Sequence, residues 1–552
     1  MRSILIAIIV FGFSNLLWAQ NYEVKYQRLN NNKLDSTYSY SFKYMDGVAY
    51  LSSEGSENKA YIDFNRKVNV DIMTYDEVLY KTVIPFAEIA APEKMEKAEK
   101  ILGYKCKKAI FKAFSNTIEV WFTEDAQAKG SPYKSYLPAN ALALKIVING
   151  SREIRATEII ELDESLELPY PFKEAKEISE AKARELQIRA RYTNFPVFDH
   201  QQINFEGDIE NPPHGQSDVV YRLSNGTVIL KKIKVPEIAK QGASVFATIT
   251  NWSNGDAYDR TGSLFLITQD KEMSMLNALE DSLEVLPVFM DNMDNHYQGI
   301  ISNEQYDTPV ELMRFFTSFG VSHFNHIREI ENYLWQDSVV YKQEITSVFP
   351  NDEDEVWIGV FIGNYDGGGH YVSLNLQFYP PWSEGEVAEK YIQPLFNTVN
   401  IMEMSGQNYG KLFGNDTLEM EFDLPENIEN LEMLFTTTGH GGWGGGDEFN
   451  PKLNQVFIDG ELVFSHIPWR TDCGTYRMSN PASGNFENGL SSSDLSRSNW
   501  CPATLTPPYF INLYELKPGK HKVEVVIEQG ENEGSSFSSW CVSGVLVGEK
   551  TK

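Results

Sequence analysis

Cysteine is scarce in this chain: four in 552 residues, at positions 106, 473, 501 and 541. So few cannot form the disulfide framework of a protein this long, so packing must come from apolar cores. No Cys-x-x-Cys and no His-Glu-x-x-His occurs. The nearest histidine pair, His323 and His326, stands among apolar and aromatic residues with no third ligand in view, and no metal site is expected there. No Gly-x-Ser-x-Gly elbow is present, which argues against a serine-nucleophile hydrolase. Positive charge is also short, with 48 Lys and Arg against 77 Asp and Glu, a net charge of −29. Such a surface repels phosphate backbones and anionic lipid, so nucleic acid is not an expected partner. After the first 20 residues no apolar run is long enough to span a membrane. Hydrophobic residues make up 42% and aromatics 13%, which excludes a disordered chain.

Residues 1–20 read as an export signal. Arg2 is followed by the apolar run Ile4 to Phe13, which ends near the small Ala19. The expected destination is the periplasm or the medium. Residues 21–160 alternate with period two, as in Tyr38-Ser-Tyr-Ser-Phe and Thr117-Ile-Glu-Val-Trp-Phe, and predict a mostly β module. Over 161–193 the prolines 169 and 171 precede a run of strong helix formers with mixed charge, the pattern of a linker helix. From Asn194 short strands punctuated by Gly, Asn and Pro run almost to the end, with helical interludes expected near 271–285 and 309–317. That total is large for one β-sandwich, and a division near 385 gives two, 194–385 and 386–552.

Three loops carry the candidate chemistry. The first, Asn251 to Arg260, places Asp256, Asp259 and Arg260 beside Trp252 and Tyr258. A carboxylate next to a guanidinium suits proton transfer with charge stabilisation, and equally suits a surface ion pair on a turn. The second, Gly439 to Pro451, sets six glycines around Trp443, with His440 before and Asp447 and Glu448 after. It lacks the Lys-Ser/Thr of a phosphate loop, and reads either as a close-approach surface or as a hairpin tip. The third, Arg470 to Pro502, is polar and bracketed by Cys473 and Cys501. A disulfide there would hold Arg497 and Trp500 in place, or act as a staple with no site.

Taken in order, these loops resemble the peptide:N-glycosidase F family. The likeness rests on Tyr258-Asp259-Arg260, on Gly439-His440-Gly441, and on Glu448-Phe449 followed by Gln455-Val-Phe-Ile-Asp. It continues through Cys473, Asn480-Pro481, Arg497 and Trp500-Cys501-Pro502, with Arg314-Phe-Phe-Thr-Ser-Phe-Gly upstream, and covers about residues 195–548. The N-terminal module, through Gly103-Tyr-Lys-Cys-Lys-Lys-Ala, Trp121-Phe-Thr and Leu137-Pro138, resembles the GLPGLI family, and longer glycosidases carry a bowl-like N-terminal domain. The resemblance implies a mainly β fold, with two adjacent jelly-roll sandwiches after the accessory module and linker helix. It implies an amidase that hydrolyses the Asn–GlcNAc bond of N-glycosylated proteins or glycopeptides, acting as a monomer without metal or cofactor.

On that reading Asp259, Glu448 and Arg260 are catalytic. Arg497, Trp500, Trp443, His440, Asn364, Asp366 and Trp252 bind substrate, and Cys473 pairs with Cys501 while Cys106 stays unpaired. Three departures stand out. The family's cysteines around the Asp loop are missing. The pair flanking its Glu is replaced by Gly446 and Asn450. A third carboxylate falls on Asn364, with Asp366 two residues on as its substitute. The alternative reading is a glycan-binding, lectin-like exported protein that has lost catalysis.

Overall fold

The computed structural model describes residues 21–51, 59–89, 91–133, 136–137, 140–162, 173–207, 209–381, 387–441, 446–531 and 537–551. The proposed export signal lies outside the described residues. The chain forms two compact units, Met1–Ala190 and Arg191–Lys552. Both are mainly β. Among the described residues no helix is long and apolar enough to cross a membrane.

The first unit is one 12-stranded sheet. Its strands follow from alternation. In Asn116–Thr123 the side chains of Ile118, Val120 and Phe122 are buried, and they join Phe42, Phe111, Leu142, Leu144 and Ile146 in a single core. The helix is shorter than its run of helix formers suggests. It spans Glu180–Arg189, and Ser179 caps it by accepting from the Lys182 amide. The preceding Lys176–Glu177 is extended and pairs in parallel with Tyr80 and Lys81. Ala183 and Leu186 pack with Met73, so the helix belongs to the first unit's packing.

In the second unit a four-stranded sheet and a six-stranded sheet share one core. The strand Ser244–Ser253 buries every second residue, including Val245, Ala247 and Ile249. Two further four-stranded sheets share a second core around Met420, Phe435, Val456, Val523 and Leu546. The six-stranded sheet is covered on both faces. One face packs inside the first core, and on the other Leu230, Phe265, Trp357 and Phe361 meet Val399, Ile401, Met402 and Cys541. Double burial explains the unbroken apolar run Val356-Trp-Ile-Gly-Val-Phe-Ile. It also corrects one expectation. Residues 309–317 do not form a helix, because Val310–Phe316 is a fully buried strand of this sheet. The helix expected near 271–285 is present as Met275–Glu280, followed by a helical turn at Leu283–Val285.

Two connections bind the halves of this unit. Leu505–Thr506, just after Cys501, adds to the six-stranded sheet beside Arg314 and Phe315. Deeper in, Arg314 and Glu311 form a buried bidentate pair, Nε to Oε1 at 3.0 Å and Nη2 to Oε2 at 2.6 Å. Ser263 and Ser543 donate to the same carboxylate, while the Arg314 Nη1 donates to Thr438 and to the Cys541 carbonyl. Removing one charge would strand the other in the interior. Arg314→Met alone should therefore cost about 3–5 kcal/mol, and the double variant Arg314→Met with Glu311→Leu should cost less than either single change. Urea unfolding midpoints test this, and a double variant as unstable as the sum of the singles would refute the coupling.

Candidate active site

The strand Thr261–Ile267 lies between Glu355–Ile362 and Val310–Phe316, so the loop that precedes it sits at one end of the sheet. That loop is gripped from within. Asp256 is buried and accepts from Arg260, Nε to Oδ2 at 2.7 Å and Nη2 to Oδ1 at 3.3 Å, with His370 Nε2 3.5 Å away. Burial pushes the Asp256 carboxyl up, but the bonds from His370 and Arg260 outweigh it and hold the group down at about 2. The Arg260 amide donates to Thr317 Oγ1 at 2.8 Å. With its ends fixed, the loop presents Tyr258, Asp259 and one edge of Arg260 outward.

The glycine loop leaves the strand Ile428–His440. Gly439 has no room for a side chain, since a Cβ there would lie 2.8 Å from Ser498 Cβ. Its carbonyl accepts from Trp500 Nε1 at 3.0 Å. Asp447 is an anchor, taking Trp540 Nε1 at 2.7 Å and the Gly530 amide at 3.0 Å. The Ser498 amide then donates to the Glu448 carbonyl at 3.0 Å, and the Glu448 side chain turns toward Arg497.

Arg497 is the meeting point. Cys473 and Cys501 are disulfide-bonded, closing 28 residues of sequence, while Cys106 and Cys541 are free and buried. Backbone bonds between Arg470 and Arg497 fix the strand-like base of the loop. The Arg497 side chain is 1% exposed. Nη1 donates to Glu448 Oε1, Nη2 lies 3.3 Å from Asp259 Oδ2, and Nη2 also donates to the Ser492 carbonyl at 2.9 Å. Its guanidinium carbon lies 4.9 Å from the Phe449 ring centre and 4.5 Å from that of Trp500. The carboxylate side chains are more open, 15% for Asp259 and 19% for Glu448, so a ligand would meet the acids before the cation. Burial raises the Asp259 pKa against the pull of Arg497, and burial lowers that of Arg497 against the pull of Asp259. The arginine nonetheless stays protonated.

His440 is next in this wall, its ring centre 5.4 Å from that of Trp500 and 5.7 Å from that of Phe316. Arg314 Nη1 donates to Thr438 Oγ1 at 3.2 Å, and Thr438 Oγ1 lies 2.9 Å from His440 Nε2. A guanidinium can only donate, so the threonine oxygen accepts there and keeps its own proton free to point at Nε2. When the threonine proton is given to Nε2, the neutral imidazole carries its own on Nδ1. Burial, followed by Arg314 and Arg497, holds the His440 pKa down at about 3, so the ring is neutral at working pH.

The fold thus gathers Asp259, Glu448, Arg497 and His440, with Arg260 beside Asp259. Other expected site residues are placed differently. Trp500 is 3% exposed and presents its face to Arg497 and Phe316, so it backs the cation and offers no open face to a sugar. Asn364 is fully buried, its Nδ2 donating to the Ile362 carbonyl at 3.0 Å. Asp366 accepts from the amides of Gly368 and Gly369 at 2.8 and 2.9 Å, and so caps a turn. Trp252 faces away from the core of its sheet and packs on His200, ring centres 5.0 Å apart. Trp443 lies outside the described residues. Sequence reasoning missed Thr438 and Glu311, and gave Phe449 and Arg314 no role in the site. The signal for the Glu311–Arg314 pair was two opposite charges three residues apart inside an otherwise apolar run.

A buried guanidinium shared by two carboxylates thus lies at the junction of two β-sandwiches. The family model for Peptide-N-glycosidase F, N terminal, matches residues 194–378, that for its C terminal matches 408–547, and that for the N-glycanase peptide, N-terminal domain, matches 90–180. The chain belongs to the peptide-N-glycosidase F family, in the form with an extra N-terminal domain. Among solved structures it is similar to PNGF-II in two crystal forms. One is 40% identical with TM-score 0.87, covering 97% of this chain and 100% of that one; the other is 39% identical with TM-score 0.83, covering 97% and 99%. Recombinant peptide:N-glycanase F is 15% identical with TM-score 0.44, over 66% of this chain and 96% of that one. Among curated proteins none matches.

Nitrogen NMR of the histidine ring tests the relay. The wild-type His440 should show a protonated Nδ1, and Thr438→Val should move the proton toward Nε2. A wild-type ring protonated on Nε2 would refute the assignment.

Proposed function

We propose that this protein is a peptide:N-glycosidase. It hydrolyses the amide between an asparagine side chain and the first N-acetylglucosamine, releasing the glycan as a glycosylamine and leaving aspartate. Its substrates are N-glycosylated proteins or glycopeptides outside the cytoplasm. The observation that carries this reading is the convergence of Asp259 and Glu448, from separate sandwiches, on the buried Arg497.

Amide hydrolysis needs an activated water, stabilisation of the developing oxyanion, and a proton for the leaving nitrogen. Asp259 is suited to the first task. Its burial makes it a stronger base than an ordinary aspartate, while Arg497 keeps it ionised. It takes the proton of the attacking water, directly or through a sugar hydroxyl. Glu448, on the other guanidinium nitrogen, orients the linkage, and the proton that Asp259 takes from water passes on to the departing nitrogen. Arg260 spends Nε and Nη2 on Asp256, which leaves Nη1 for a substrate oxygen. His440, with its proton on Nδ1, is a neutral donor in the same wall. The Cys473–Cys501 bridge holds the loop that carries Arg497.

Incubation with a denatured glycoprotein in heavy-oxygen water tests the reaction. Release of glycan, with the label in a new aspartate, is the expected result; binding without release would overturn the reading in favour of a lectin. Asp259→Asn should lower kcat/KM by about 10²–10⁴-fold. The pH dependence follows from the raised pKa of Asp259. Activity needs the ionised form, so it falls as pH drops through a value above the ordinary aspartate pKa of about 3.9. A carboxyl whose pKa is raised by folding stabilises the fold only when protonated, and that contribution is lost as pH rises through the folded-state value. Removing this charge therefore should not lower the melting temperature of Asp259→Asn at neutral pH. Wild-type turnover by that variant, or an acid limb at the ordinary aspartate value, would remove Asp259 from the water-activating role.

A further inference from the structure

The second sandwich leaves a strand edge open. Leu418–Leu424 ends its four-stranded sheet, pairing with Gly519–Ile527 on one side. Among the described residues no strand or loop bonds its backbone on the other side. In an antiparallel pair every second residue turns its amide and carbonyl away from the partner, so this edge presents a row of free donors and acceptors. The strand is also regular, with all 7 residues in one register and neither bulge nor proline. The edge strand of the facing sheet is different. Glu389–Asn397 carries Pro394 and a bulge, and residues 300–302 lie along it. There the Ser302 amide donates to the Leu395 carbonyl at 2.8 Å, and the Asn397 amide to the Ile300 carbonyl at 2.9 Å.

The open edge borders a cavity of about 520 Å³. The consecutive residues Glu419 to Asp423 all line it, which sets the cavity along the edge and not over one face of the strand. Val288, Phe289 and Ile301 stand on the other side, and Phe289 and Ile301 pack on the core that holds Met420 and Phe422. Val288–Met290 pairs only with His296–Gln298, and its Val288 and Met290 are exposed. This hairpin is tied to the foot of the open strand, where the Asn292 amide donates to Asp416 at 3.1 Å. The slot thus has two fixed walls.

Charge selects the occupant. Leu418, Met420, Phe422 and Leu424 are buried, and Glu419, Glu421 and Asp423 point to solvent. Glu419 is paired with Lys522 at 2.8 Å. Among the described residues Glu421, Asp423 and Glu304 have no ion pair, and Lys520 is the one cation beside them in the lining. A second copy of this chain, pairing edge to edge, would set two acidic rows side by side. A strand with lysine or arginine at alternate positions would set its cations beside Glu421 and Asp423. Its intervening apolar side chains would continue the layer of Met420 and Phe422 over Phe289 and Ile301.

We infer that this slot is a docking site for an extended segment of another polypeptide, with alternating basic and apolar residues, which adds to the sheet as a further strand beside Leu418–Leu424. The site shares no residue with the acid pair and does not depend on the amidase reading.

Titration of the full chain with the peptide acetyl-Thr-Lys-Val-Lys-Val-Lys-Val-Thr-amide, followed by amide hydrogen exchange, tests it. The peptide should bind, and alternate amides within residues 419–423 should become protected. The same peptide with glutamate for lysine should bind at least about tenfold more weakly. The double variant Glu421→Gln with Asp423→Asn should bind the lysine peptide about threefold to tenfold more weakly. Both side chains are exposed, so this variant should keep the wild-type melting temperature. Of two lysine peptides N-methylated on alternate amides, in the two possible registers, one should lose binding because it cannot form the ladder. No binding at millimolar concentration overturns the proposal. So does binding without new protection at 419–423, equal binding of the two charge forms, or unchanged affinity in the double variant. Amides already protected in the free protein at every dilution would place a segment of this chain on the edge, and protection that grows with protein concentration would place a second copy there. Either result also overturns the proposal.

Discussion

One buried cation organises this molecule's second unit. Arg497 is almost completely removed from water, and a guanidinium in that position is costly unless its donors and charge are met. The charge and both terminal nitrogens are met by Glu448 from its own sandwich, by Asp259 from the other, and by the Ser492 carbonyl, with Phe449 and Trp500 against the flat faces. Two carboxylates on one arginine leave the cluster with an excess negative charge. That excess sits on the more open side, where a polar ligand can reach it. The ion pairs therefore keep both acids in reach of the same small volume.

Under the proposed mechanism such an arrangement needs the two sandwiches to hold their relative position closely, because proton transfer from water tolerates little displacement. The rigidity has a visible source. The outer face of the six-stranded sheet is buried by Val399, Ile401, Met402 and Cys541, and the Arg314–Glu311 pair is bonded from both sides. Arg314 connects this scaffold to the site through Thr438 and His440. The same residue thus serves packing and the proton position on an imidazole, a coupling made possible by the low dielectric around it.

Much of this could be read from the chain beforehand, and the failures have physical causes. Loops containing Asp259, Glu448 and Arg497 stood out because charge and glycine interrupt runs of alternating strands. The cysteines at 473 and 501 bracketed the third loop and are indeed bonded. Alternation fails where a strand is buried on both faces, and that is why Val310–Phe316 read as a helix. Side-chain direction was also hidden. Trp500 and Asn364 sit in site-like positions along the chain but turn inward, whereas Tyr365, next to Asn364, turns out.

Asp256 and Asp259 show how one short loop separates two tasks for the same side chain. Both are removed from water, and burial alone would push both carboxyls up. Asp256 receives two bonds from Arg260 along one edge and has His370 against it, and these drive it far down, so it remains an ionised anchor. Asp259 meets Arg497 at 3.3 Å through a single oxygen, and that cation is already engaged by Glu448. Its attraction is too divided to cancel desolvation, and the net shift is upward. A carboxylate held permanently charged has little capacity to accept a proton during a reaction, whereas one raised by burial does. The difference comes from how completely each acid's cation is shared, and under the proposed mechanism it suits Asp256 to anchoring and Asp259 to proton acceptance.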